Sequence, residues 1–373
     1  MKIELDLPRG LSPDIVKGYC LLWQLESWFR ELVYLELKSH YGLNWWTQAD
    51  QARRRSRASG IPAETSLRAD KAHPHMSTPE NDPLWYLSFD SLLKIIFDRK
   101  LWPLFKNYLT TKSLVKAKFE EIRPIRNRIA HSRSLHRDDL NRIEVVLRDL
   151  DQGFWKFCTS YNHDNGFIAD LQKDPVYKHF SNREHVPWAE VEPNKWARVG
   201  IRLGVDLDMI LGFSIRPSQK RRPTSKISLM KGAIYDFTFS IAHHHDGNYL
   251  EYSRILTATQ SIHDRVLHIF LDSFQKQLRI TFPAVIDTQS IIDAIEKFYE
   301  VCLAYKTSIS YRRAEKIEPA DPLLEYEEEM RPFEQIAAAW PHYVVPPSHP
   351  FTFLCPDMPC NFFERNISPP RTA

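Results

Sequence analysis

The chain has 373 residues, 43% hydrophobic and 26% charged, a balance that excludes a coiled coil, a collagen and a wholly disordered chain. Lysine and arginine (50) exceed aspartate and glutamate (47) by only +3, so the total charge points to neither a nucleic-acid nor a membrane partner. The length fits two domains, or one large domain with additions.

Small-residue and cysteine usage excludes several further classes. No two of the 11 glycines are separated by a single residue, and none is followed by Lys-Ser or Lys-Thr, so both common glycine-rich phosphate loops are excluded. The five cysteines form no close-set framework, and neither the charged start nor any other segment has a continuous apolar run of about 18 residues. We expect a reduced, cytoplasmic protein without a targeting or membrane-spanning segment.

The first 162 residues are patterned as helices. Apolar residues between positions 15 and 35 recur at spacings of three and four, with Ser12 as a good N-cap and Gly42 where the helix should end. Helical patterning returns over residues 84–105, 115–129 and 140–157. The prediction for residues 1–162 is an α-helical bundle.

A polar stretch interrupts this bundle at about residues 50–82. It contains the cluster Arg53-Arg54-Arg55-Ser56-Arg57, followed by prolines and small polar residues. This composition predicts a flexible insertion between helices. The arginines are either a solvated loop or a contact to a phosphate backbone.

The second half changes to a period of two. After a predicted linker at 163–190, apolar residues occupy every odd position from Val199 to Leu207, which indicates a strand with one buried face. Further strands are predicted over 211–215, 235–241, 249–256, 265–271 and 277–282, with a helix over 291–302. Residues 191–310 are therefore predicted to form an α+β domain with an antiparallel sheet. Residues 311–373 are predicted to be an acidic and then proline-rich extension of irregular structure.

One segment carries residue types suited to acid–base chemistry, at the end of the third helical stretch. Asn127 and His131 are four residues apart, so only about 40° around a helix separates them. Arg126 and His131 are five apart and diverge by about 140°. A straight helix in one chain cannot direct both at one point, whereas a break near Ala130, or a second copy related by a twofold axis, could.

Positive charge is concentrated around this segment. Residues 94–137 hold twelve bases and three acids, a net +9, so the rest of the chain sums to −6. Phosphate neutralisation supplies affinity for RNA, and imidazole transfers protons near neutral pH, so bases beside a histidine fit an RNA-cutting site. Arg123, Arg128 and Arg133 are the candidates for RNA binding.

The sequence Arg126-Asn127-Arg128-Ile129-Ala130-His131 resembles the R-x4-6-H motif of HEPN domains, with the polar residue that usually follows the arginine in HEPN ribonucleases. The preceding run from Ser88 to Ile122 resembles the abortive-infection branch of that family. The resemblance covers about residues 12–160 and does not reach the C-terminal half.

The resemblance implies a helical bundle that forms a homodimer, with the two motifs facing each other across the twofold axis. Such enzymes cut RNA without a metal or other cofactor, using the ribose 2′-hydroxyl as the nucleophile. His131 would assist proton transfer, Arg126 would stabilise the pentacoordinate phosphate, and Asn127 would orient His131 or the phosphate. These three are the candidate catalytic residues.

The resemblance also implies a role as a toxin or anti-phage effector, with an antitoxin or a trigger protein as a possible partner and no membrane partner. The second domain would sense the trigger, bind a partner or position RNA. The alternative is a non-catalytic HEPN module that binds RNA, nucleotide or a protein.

Three other segments contain residue types that occur at binding sites. His243 and His245 share a strand face, but no spaced partner completes a metal site, so strand-end histidines are favoured over metal ligands. Cys355 and Cys360 likewise lack a second pair. The basic stretch over 216–223 is predicted to be a loop, either simply exposed or a guide for RNA or a partner.

Overall fold

The computed structural model of the protein describes residues 12–55, 62–72, 82–131, 133–136, 138–161, 174–181, 199–202, 209–216, 227–241, 248–308, 333–347 and 349. A helical region comes first, and a region with a mixed sheet and helices follows it. None of the described helices is both long enough and apolar enough to cross a membrane.

The helical region confirms the predicted periodicity. Its α-helices are α1 (Pro13–Tyr41), α2 (Trp45–Arg54), α3 (Ala63–Lys71), α4 (Phe89–Ile96), α5 (Trp102–Phe105), α6 (Lys112–Ala130) and α7 (Asp139–Tyr161). The Ser12 side chain accepts from the Ile15 N–H and starts α1, while Gly42 ends it at a φ of 55°, which few residues other than glycine adopt.

The expected flexible insertion at 50–82 is wrong for the part of it that is described. It contains the end of α2 and all of α3. The helical stripe gives only a weak apolar signal, because three of its six buried residues are alanines, Ala49, Ala52 and Ala63. Of the arginine cluster, Arg53 is buried and, with Arg54, pairs with Asp50, and Arg55 pairs with Asp98.

The second region is built on a six-stranded sheet and a separate two-stranded pair. Its strands are β1 (Val199–Arg202), β2 (Met209–Arg216), β3 (Ile234–Ile241), β4 (Asn248–Leu250), β5 (His268–Leu271), β6 (Gln277–Pro283), β7 (Lys306–Ser308) and β8 (Val344–Val345). The order in the large sheet is β1-β2-β3-β6-β5-β8, and β4 pairs with β7. The sheet is not wholly antiparallel as predicted, because β8 runs parallel to β5, with Ile269 opposite Val344.

Three further boundaries differ from the prediction. The expected strand over 249–256 is mostly helix α9 (Tyr252–Thr259), because Tyr252, Ile255, Leu256 and Thr259 bury one helical face. Helix α8 (Pro175–Ser181) lies in the expected linker. In the expected irregular extension, residues 333–338 form a helix, α11, and β8 completes the sheet.

The sheet is covered on both faces. On one face the odd residues of β3, such as Phe237 and Phe239, pack in a core with α9 and the predicted helix α10 (Thr288–Ala304). On the other face Ile234 and Phe270 belong to the same buried cluster as α1. Helix α1 therefore serves as the centre of the helical region and as one cover of the sheet.

Charged side chains are buried where α1 meets the sheet. Arg216 of β2 places its Nη2 2.7 Å from Glu36 Oε1 in α1, and the same nitrogen donates to Tyr108 Oη. Both charged side chains are less than 5% exposed. Arg216 is therefore a buried strand residue and not part of an exposed loop, and the rest of that predicted loop lies outside the described residues.

Candidate functional site

Helix α6 positions the candidate site. Its apolar residues Val115, Phe119, Ile122, Ile125 and Ile129 are all buried, and they fix which sides of the helix face outward. The helix runs without interruption from Lys112 to Ala130, although it contains Pro124, whose missing N–H leaves one helical hydrogen bond unmade. The motif residues thus occupy the last turn of a well-anchored helix.

Asn127 and His131 are exposed at the end of α6. The backbone N–H of His131 donates to the Asn127 carbonyl oxygen at 3.2 Å, and His131 caps the helix with φ −105° and ψ 23°. There is no reversal of the chain between Arg126 and His131. A break near Ala130, one of the two ways in which these side chains could be directed at one point, is not observed before the helix ends at Ala130.

Arg126 turns toward α1 instead. Its Nε donates to Glu26 Oε1 at 2.9 Å, and the other Glu26 oxygen, Oε2, lies 3.3 Å from Arg30 Nη2. The Arg126 side chain is 30% exposed and that of Glu26 only 13%. Sequence patterns did not point to Glu26. Its only local signal is that it is an acidic residue next to the apolar stripe of α1.

The three RNA-binding candidates lie on different sides of the motif. Arg123 Nε donates to Asp90 Oδ1 at 2.8 Å, and both side chains are about half exposed. Arg128 pairs with Asp139, a buried carboxylate at the start of α7. Arg133 is exposed, and its backbone N–H donates to the Arg128 carbonyl oxygen at 2.8 Å. The structure does not gather them into one patch.

Two cavities flank α6, each containing one of these arginines. A cavity of about 710 Å³ between α2, α4 and α6 includes Arg123. A cavity of about 610 Å³ between α6, the segment 134–138 and α7 includes Arg128. Arg126, Asn127 and His131 line neither of these two cavities.

Burial and the positive charge around α6 lower the pKa of one of its own lysines, Lys112. Burial lowers the pKa of Lys112, and the neighbouring Lys116 charge lowers it further. Lys112 Nζ donates to the Phe97 carbonyl oxygen at 2.6 Å and lies 5.5 Å from the centre of the Trp102 ring. Like charges are therefore held close together at this end of the helix.

The histidines and cysteines that were disfavoured as metal ligands are not among the described residues. His243, His245, Cys355 and Cys360 lie outside them. Within the described ranges no group of three or more His, Cys, Asp or Glu side chains is placed to hold a metal ion. Comparison with protein-family models, with curated proteins and with solved structures finds no match for this chain.

Proposed function

We propose that the protein is a metal-independent endoribonuclease of the HEPN type, acting as a toxin or anti-phage effector in the cytoplasm. The observation that carries the proposal is the exposure of Asn127 and His131 on one side at the end of α6, within a stretch of net charge +9. Exposure is required of groups that touch a polymer substrate, and positive charge attracts its phosphates.

A homodimer supplies what one copy lacks. The 2′-hydroxyl attacks the adjacent phosphorus, the bond from phosphorus to the 5′ oxygen breaks, and the products end in a 2′,3′-cyclic phosphate and a 5′-hydroxyl. The His131 imidazole of one copy takes the proton of the 2′-hydroxyl, and that of the other protonates the leaving oxygen. Arg126 stabilises the charge on the phosphate, and Asn127 orients the histidine or the phosphate.

The ion pair between Arg126 and Glu26 supports the alternative function. A guanidinium held by a carboxylate is available to a phosphate only after that pair opens. A non-catalytic module that binds RNA, nucleotide or a protein has no such requirement. The two functions differ in whether RNA is cut in a reaction that requires His131.

The test is incubation of the purified protein with single-stranded and structured RNAs in EDTA, with analysis of the product ends. We expect cyclic-phosphate products that His131→Ala reduces by about 100-fold or more, and that Arg126→Ala also reduces. His136→Ala and Arg142→Ala are matched controls, because both side chains are exposed near the motif. Glu26→Gln should strengthen RNA binding by freeing Arg126.

Undiminished cleavage by His131→Ala would reject the catalytic assignment. RNA binding without any cleavage by a folded dimer would favour the non-catalytic module. A strictly monomeric mass in solution would contradict a composite site. Growth arrest on expression of the parent but not of His131→Ala would support the effector role.

A further inference from the structure

The cavity between α2, α4 and α6 has an uneven charge balance. Its walls carry Arg55, Lys94, Arg99, Lys116 and Arg123 against three acids, a net +2. Arg55 forms a two-point pair with Asp98, and Arg123 pairs with Asp90. Beyond these two pairs, Arg99 and Lys116 also lie on the wall and add positive charge to it.

An aromatic side chain lies among these basic side chains. Phe97 is half-buried on the cavity wall, and its ring centre lies 5.6 Å from Lys116 Nζ. Behind it, Phe97 packs on Trp102 with ring centres 5.6 Å apart. Basic side chains next to an aromatic ring are the combination that holds single-stranded nucleic acid. A nucleobase stacks on the ring, while the basic side chains neutralise the phosphates.

The cavity is continuous in direction with the candidate cutting site. Its α6 wall includes Lys116, Glu120 and Arg123, and two further steps of four residues from Arg123 lead to Asn127 and then His131. These positions lie along one face of the helix. At 1.5 Å of rise per residue, the distance along the axis from Arg123 to His131 is about 12 Å.

We propose that this cavity, lined by Lys94, Phe97, Arg99, Lys116 and Arg123, binds the phosphates and one base of a single-stranded RNA and leads it along α6 toward Asn127 and His131. That the RNA is led toward His131 rests on the proposed function, whereas the binding of RNA in the cavity does not. The cavity, of about 710 Å³, lies in the size range of pockets that hold small ligands and so has room for part of a single strand. A duplex buries its bases and leaves Phe97 without a partner.

The test measures binding and cutting separately. A fluorescent single-stranded RNA with 2′-O-methyl riboses is bound but cannot be cut, since the nucleophile is blocked, and its affinity is measured by anisotropy at several salt concentrations. Lys116→Glu with Arg99→Glu should weaken binding by about tenfold and lower the salt slope by about one per lost phosphate contact. Lys106→Glu is the matched control, because it is exposed in the same region and lies outside the cavity.

Each outcome has one meaning. Binding by the double variant equal to that of the parent, or no RNA binding by the parent, would overturn the proposal. Equal affinity for the duplex, or for a simple polyanion, would overturn the assignment to a single strand. Preferential binding of an acidic peptide would show that the cavity binds a protein and not RNA. Loss of cutting in His131→Ala with unchanged affinity is expected. If the parent binds through the cavity but cuts nothing, the proposed function fails while the cavity assignment stands.

Discussion

His263 shows how strongly a single buried side chain depends on its surroundings. Its Nε2 lies 2.9 Å from Thr259 Oγ1 and its Nδ1 lies 3.1 Å from Tyr343 Oη, and its ring stacks on Phe298. Burial lowers the pKa of His263 to about 4, and the charge of Lys38 acts in the same direction. The neutral ring is therefore part of the folded state.

Neighbouring groups add to this pH dependence or oppose it. Burial also lowers the pKa of His268 and of His342. Burial raises the pKa of Glu31, whose Oε2 lies 3.4 Å from His268 Nε2. The raised pKa of Glu31 therefore increases the free energy of unfolding as the pH falls, which partly offsets the effect of the histidines. Three histidines act in the opposite direction to this one carboxyl group.

We predict that acid destabilises the protein between pH 6.5 and 4. In this window an unfolded histidine, with a pKa near 6.5, holds a proton that folded His263 does not, so the free energy of unfolding falls as the pH falls. The complete shift corresponds to about 3 kcal/mol. Urea unfolding at pH 7, 5.5 and 4.5 measures the slope.

His263→Gln should reduce that slope, because glutamine keeps hydrogen-bonding capacity but does not titrate. His136→Gln is the control for the same substitution at an exposed histidine. Parallel pH profiles for the parent and His263→Gln would show that His263 does not contribute to the acid sensitivity.

At the scale of elements, periodicity was a good guide wherever large apolar residues recur. It predicted α1, α6, α7 and α10, and the exposed side of α6 that carries Asn127 and His131. It failed where alanines make up half of the buried residues, as in α2, and where a short apolar run fits both periods, as in α9. The pairing of Arg126 with Glu26 joins residues 100 apart, which no local pattern records.

Helix α7 depends on a close approach that only glycine permits. A Cβ atom on Gly153 would lie 1.7 Å from the carbonyl oxygen of Tyr108, which is a backbone atom and cannot rotate away. Alanine normally stabilises a helix interior by about 1 kcal/mol relative to glycine. Here the overlap reverses that sign.

We predict that Gly153→Ala lowers the free energy of unfolding by about 3 kcal/mol or more, since the two segments must move apart. Gly18→Ala in α1 is the matched control, because its Cβ would meet the end of the Ile129 side chain at 3.1 Å, and that side chain can adjust. Urea unfolding followed by circular dichroism compares the two. A Gly153→Ala protein as stable as the Gly18→Ala protein would contradict the close approach.

At the scale of the whole molecule, the helical region and the sheet region share buried polar contacts. Tyr34 Oη in α1 donates to the Leu267 carbonyl oxygen at 2.7 Å, and the Gly232 N–H donates to the Ser39 carbonyl oxygen. Arg216 and Glu36, separated by 180 residues in sequence, form a buried ion pair. Sequence patterns predicted the two regions but not these contacts, because partners so distant leave no local signal.

We predict that breaking the pair between Glu36 and Arg216 destabilises both regions together. Removing one partner leaves the other charge buried without compensation, so Glu36→Gln or Arg216→Met should each cost about 3–5 kcal/mol. The double variant should cost less than the sum, since no unpaired charge remains. Amide hydrogen exchange should show α1 and β3 losing protection together in the single variants. Loss confined to the sheet would mean that the regions unfold independently and that the pair does not couple them.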